Sequence, residues 1–275
     1  MQSFNQRRWY ILRADANALG GYLHEPIHRS IPTLAPVSLP AVGGFSTARS
    51  AAFAVDEIVS CASAYTRVSG EENADGSSSI LVTAVVEDLN ILEVVRAERV
   101  VTQVSISLPA EAGPLAISAV GSTYDGLRLG GQRCVPTLNP ALQGARGEEG
   151  LLTWHDAQSV GQTQGRNLVQ AFQGHSSEAR RWVESRHRWM TSGAPAASGG
   201  YAQASLVDSV AVEVPGGSRC YGHIVEIPQF GRVILGELLV SHDSVQVVGI
   251  RAELGCPVKG RISSNAIGGG GLGEN

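Results

Sequence analysis

Acid–base chemistry in this chain would fall to Glu98, Glu237 and His223, ionisable residues set in or beside Val- and Ile-rich segments. A carboxyl group carried into an apolar interior is raised toward neutral pH, so two such glutamates facing one cavity would serve as acid and base. The same positions also suit a solvated sheet face. There Glu87, Asp88, Glu93, Glu98, Glu226 and Glu237 would pair across strands with Arg96, Arg99, Arg128 and Arg232. His223 and Glu226 are separated by an odd number of residues, which puts them on opposite faces of a strand.

Other motifs are weaker. Gly174-His175-Ser176-Ser177-Glu178 has the outline of a nucleophile elbow, but Glu178 stands in place of the last glycine and the preceding Leu168 to Gln173 reads as helix. Helix capping by Ser176 or Ser177 accounts for the same residues. Gly44-Phe45-Ser46-Thr47-Ala48 is weaker still. His24 and His28 have metal-ligand spacing for a helix, but Pro26 between them forbids a regular one. Cys61, Cys134, Cys220 and Cys256 are far apart and lack C-x-x-C spacing, so no metal and no cofactor is expected.

A partner surface is expected at Arg180, Arg181, Trp182, Arg186 and Trp189. Arginine with tryptophan is the composition of interface anchors and of single-stranded nucleic-acid grooves. The formal net charge of −4 argues against nucleic acid, and the tryptophans fall on one face of a helix from Glu178 to Met190. Docking onto the rest of the chain, or onto a neighbouring subunit in a homo-oligomer, is the expectation.

These residues need elements to hold them, and the elements read mostly as β-strands. Ile80 to Leu108 and Ile224 to Leu254 are dense in β-branched residues, and Val104, Ser105, Ile106, Ser107 and Leu108 alternate strictly. In the second run Val248, Ile250, Ala252 and Leu254 are expected to face one way, and Gly249, Arg251 and Glu253 the other. The 33 glycines suit a fold of many turns. Of the 21 basic residues only Lys259 is lysine, which a compositional bias of the source genome explains better than a need for bidentate contacts.

The expected organisation is an N-terminal strand and proline-rich arm over residues 1–44, a β domain over 45–139 and 201–260, and a helical insertion with linker over 140–200. A disordered Gly-rich tail is expected over 261–275. Gly20-Gly21 is expected to break the first strand, and Asp88-Leu89-Asn90 to join two long ones. The predicted fold is mainly β, an antiparallel barrel or sandwich of about eight to ten strands. No apolar run has the length of a signal-peptide core or a membrane span, so a cytoplasmic chain with no transmembrane segment is expected.

The segments YILRADANALGGYL, VSLPAVGGF, VEDLNILEVVRAERVV and IPQFGRVILGELLV resemble those of an uncharacterised bacterial protein family. The resemblance covers most of the chain outside residues 140–200. It implies a bacterial origin and carries no activity with it.

The expected function is non-catalytic binding or assembly, through self-association or a protein partner held by the insertion and the N-terminal arm. The alternative is a β-barrel that carries a small apolar ligand, with cyclase- or isomerase-type chemistry at Glu98, Glu237 or His223. A membrane-acting β protein is the third reading.

Overall fold

The structure, a computed structural model, describes residues 9–26, 28–111, 115–142, 152–171, 181, 202–212, 218–241 and 243–274. The strands run in order β1 (Trp9–Glu25), β2 (Arg29–Leu34), β3 (Val37–Ser38), β4 (Gly44–Ser50), β5 (Phe53–Val55), β6 (Val59–Cys61) and β7 (Ser63–Glu72). They continue with β8 (Ser78–Ile91), β9 (Val95–Leu108), β10 (Ala116–Ser118), β11 (Thr123–Asp125), β12 (Arg128–Leu129), β13 (Gln132–Leu138) and β14 (Leu152–Thr153). After helix α1 (Trp154–Ala171) come β15 (Ala202–Ser205), β16 (Val207–Val212), β17 (Arg219–Tyr221), β18 (Ile224–Ile227), β19 (Gly231–Val240), β20 (Ser244–Gly255) and β21 (Lys259–Glu274).

These strands form two antiparallel sheets that stack as a sandwich, and they do not close into a barrel. One sheet has the order β17-β18-β19-β20-β21-β1-β2, with β15 along β19 and β3 along β1. The other is built on the β8–β9 hairpin. Strands β7 and β6 continue it past β8, β4 pairs with β7, and β10, β11 and β12 follow one another along the free side of β9.

Three expectations about the strands are corrected. The Gly-rich C-terminus is not disordered: β21 is paired with β1 on one side and β20 on the other through residue 270. Its glycines permit close approach, since a Cβ at Gly270 would fall on the Asp243 carbonyl and one at Gly269 would come within 2.8 Å of Ile106 Cδ1 in the facing sheet. Gly20-Gly21 does not break β1, because a neighbouring strand runs so near that a Cβ at Gly21 would overlap the Arg261 carbonyl. The β8–β9 hairpin turns at Leu92-Glu93, both with positive φ, and not at Asp88, which lies inside the ladder between the pairs Glu87 with Arg99 and Leu89 with Ala97.

Alternation of apolar side chains fills the space between the sheets, but its phase changes midway along the strands. In β20, Val245 and Val247 belong to one buried cluster, while Ile250, Ala252 and Leu254 belong to another. Val248 is only half-buried, because the inward alternation steps by one residue at Gly249, which both ladders pass without a shift of register. Matching irregularities at Gly236, Asn265 and Ala18 carry this step across β19, β21 and β1. On the line between the two clusters lie the buried polar residues Thr66, Thr102, Ser264 and Asn265. Asn265 takes the left-handed backbone that asparagine tolerates (φ 55°), and its Nδ2 donates 2.9 Å to the Val100 carbonyl of the facing sheet.

Helix α1 packs against β15 and β17. Gly161 is the contact point, where a Cβ would overlap the Gln203 carbonyl. One turn on, buried Gln164 accepts from the Ser205 amide at 2.8 Å and donates to the Ser205 and Val207 carbonyls at 3.1 and 3.4 Å. The described helix of the insertion is therefore docked on the β domain. The helix expected from Glu178 to Met190 lies outside the described residues, apart from Arg181.

Candidate functional site

The outer face of the β8–β9 sheet carries an open hollow of about 700 Å3, within the usual size range of ligand sites. Sheet register lays its side chains in rows. The middle row runs Arg49, Tyr65, Val85, Val101, Thr123 across β4, β7, β8, β9 and β11. On one side lies Ser63, Glu87, Arg99, Asp125, in which an arginine stands between two carboxylates. Thr83 and Gln103 lie on the other side.

Several of these groups are held in place. The Arg49 guanidinium sits over the Tyr65 ring, 5.2 Å from its centroid. Ser63 Oγ donates to Glu87 at 2.7 Å, and Thr123 Oγ1 to Asp125 at 3.1 Å. The Gln103 amide donates to the Val120 carbonyl at 3.0 Å and accepts from Thr83 at 3.4 Å. Gly121, at φ 97°, lets the chain turn against that amide, where a Cβ would come within 2.9 Å of Nε2. The floor is thus an aromatic and aliphatic strip, flanked by donors and acceptors of both charges. Among the described residues, no histidine or cysteine lines it, and no imidazole or amine stands beside Ser63 to take its proton.

The sequence-expected residues are not brought together. Glu98 is exposed on the outside of the β8–β9 sheet, packed under the Gly126 turn. Glu237 is buried on the outer side of the opposite sheet, ion-paired with Arg251 and accepting 3.0 Å from Gln203 Nε2. His223 is buried in the turn between β17 and β18, where its carbonyl accepts from the Leu235 amide at 3.0 Å. The two glutamates therefore sit on opposite exteriors of a sandwich. Of the expected partner residues, Arg181 is exposed in helical backbone, whereas Arg180, Trp182, Arg186 and Trp189 lie outside the described residues.

Sequence reasoning missed the hollow because Arg49, Tyr65, Arg99 and Asp125 are scattered along the chain. The one signal was periodic: Thr83, Val85 and Glu87 are the outward members of β8, and Arg99, Val101 and Gln103 those of β9. Among the described residues, no three His, Cys, Asp or Glu side chains gather as a metal site. Among the described residues, no helix is long and apolar enough to cross a membrane.

Fold and hollow together define a two-sheet antiparallel β protein with a polar depression on one outer face. Residues 10–241 match the family described as domain of unknown function DUF8256, and the chain belongs to that family. No curated protein and no solved structure matches it.

Proposed function

We propose that this protein is non-catalytic and works by reversible binding, with the hollow over Tyr65, Val85 and Val101 as its ligand site. A hydroxyl-rich, uncharged ligand such as a glycan or polyol is the class that suits it. Such molecules present an apolar C–H face to an aromatic or aliphatic strip, and rims of hydroxyls that both donate and accept. The observation that carries the reading is the row order: an apolar strip between Glu87–Arg99–Asp125 and Thr83–Gln103, with two arginines and two carboxylates that cancel in formal charge.

The enclosed-ligand alternative loses its support, since the sheets form a sandwich and Glu98 faces solvent on the sheet opposite Glu237. Affinity electrophoresis of the full chain through gels containing soluble polysaccharides, alongside a glycan array, tests the proposal. Retardation that Tyr65→Ala and Arg99→Ala abolish is the expected result. Failure of every glycan to bind, or binding unchanged by both substitutions, would overturn it.

Assembly through Arg180, Arg181, Trp182, Arg186 and Trp189 belongs to the same non-catalytic reading. It predicts that Trp182→Ala with Trp189→Ala weakens capture of a partner or of a second subunit, as light scattering would show.

A further inference from the structure

We infer that β4 is a homodimer interface, at which the strand of one copy pairs antiparallel with the same strand of a second copy. Strand β4 hydrogen-bonds to β7 along its whole length in unbroken register, Gly44 to Gly70 through Ser50 to Ala64. Among the described residues no strand covers its other side. Its outward amides and carbonyls therefore form an open template, which sheet proteins ordinarily blunt with short strands, proline, lysine or a bulge.

Other edges of this molecule are blunted in those ways. Strand β2 carries Pro32, and β5 and β17 are three residues long. Strand β4, Gly-Phe-Ser-Thr-Ala-Arg-Ser, has seven residues, no proline, no lysine and no bulge. The most exposed large apolar side chains of the described residues are Phe45 in this strand, at 71%, and Val42 in the turn that leads into it, at 97%.

The occupant is a second copy because β4 complements itself. A two-fold axis through Thr47 sets Arg49 of each copy opposite Phe45 of the other, and Ser46 opposite Ala48. The strand's only charge thus meets an aromatic ring and no like charge. Phe45, Thr47 and Arg49 pair with Ser69, Arg67 and Tyr65, so all three stand on the face that carries the hollow. Pairing would run two hollows along one continuous sheet, and a closed two-fold contact is the commonest form of self-association. The two readings share Arg49, which lines the hollow, but the variants that test the interface fall at Thr47 and Phe45, which do not line it.

Sedimentation of the full chain over a concentration series tests it. The wild type is expected as a dimer of two 28.8 kDa chains. Thr47→Lys and Thr47→Glu each place like charges across the axis, so each alone is expected to lose the dimer with an unchanged circular dichroism spectrum. Mixing the two in equal amounts restores it, and Phe45→Ala weakens the wild-type dimer. A wild type that is monomeric at every concentration overturns the inference. So does a dimer that both Thr47 variants leave intact, or a mixture that stays monomeric. Glycan retardation can be read on the monomeric variants, so failure of the interface and failure of the ligand reading are separate results.

Discussion

The hydroxyl of Tyr124 donates to the carbonyl of Gly249 at 3.0 Å, a bond between residues 125 positions apart and in different sheets. It ties β11 to the point where β20 changes phase, and with Asn265 to Val100 it crosses the line that divides the apolar interior. Two apolar clusters of one sandwich are thus joined by directional polar contacts, which set the register between sheets more sharply than hydrophobic burial alone.

Tyr124→Phe removes the donor and leaves the Gly249 carbonyl without it. The expected loss is about 1–3 kcal/mol, read from urea unfolding. Native-like circular dichroism in the variant, with an unchanged urea midpoint, would show the bond to be idle.

Alkaline stability follows from the same group. Burial raises the Tyr124 hydroxyl above the usual value of 10.0, so the folded protein holds that proton more tightly than the unfolded chain does. The stabilisation is complete below the unfolded value and is lost as pH rises through the folded one. Burial also lifts the Cys134 thiol, to about 11, and adds to the same slope. Unfolding free energy should fall with pH above about 9, where the unfolded Cys134 thiol begins to ionise, more steeply above about 10 where the tyrosine joins it, and less steeply there in Tyr124→Phe.

Gly249→Ala would set a methyl group on Thr102 Oγ1, a buried hydroxyl without a hydrogen-bond partner, and 3.2 Å from Asn265 Cβ. A cost of about 1–3 kcal/mol is expected. Adding Thr102→Ala should recover most of it, because the obstructing hydroxyl is gone. Equal melting temperatures for the single and double variants would refute this account.

A chain ended after residue 258 lacks β21, the strand between β20 and β1. It should show no cooperative thermal transition and poor dispersion of amide proton shifts. Retention of both would mean that the sheet closes without its Gly-rich centre.

Arg251→Met leaves the Glu237 carboxylate buried beside Gln203 without its ion pair, with side-chain exposure of only 14% and 6% in the parent. Removing one partner of a buried pair costs about 3–5 kcal/mol. Combining it with Glu237→Leu should cost less than the sum of the two single changes. Additive losses would show that the charges do not depend on each other.

Much of the scaffold was legible from local pattern. The alternation in Ile80 to Leu108 marks β8 and β9, and Val-rich Val233 to Val240 and Val245 to Leu254 mark β19 and β20, because a half-buried strand must place every second side chain in the interior. In the stretch expected as a proline-rich arm, β2 and β3 lie along β1 with Ile31, Leu34 and Val37 buried. Gly268 to Gly271 was misread because glycine offers no side chain to pattern, and its pairing is decided by flanks distant in sequence. The phase change at Gly249 was equally hidden, since one residue dropped from the pairing shifts the inward period without altering the composition.

By itself the sequence determined the class of protein: long antiparallel strands, turns rich in glycine, and an insertion of different character. That information is local, because a strand's two faces are written in neighbouring residues. Tertiary structure alone decided that Arg49, Tyr65, Val85, Val101 and Thr123 share one row and that Glu98 and Glu237 lie on opposite exteriors. Register between strands depends on hydrogen bonds, bulges and close glycine contacts far apart along the chain, and no short window of sequence contains both partners.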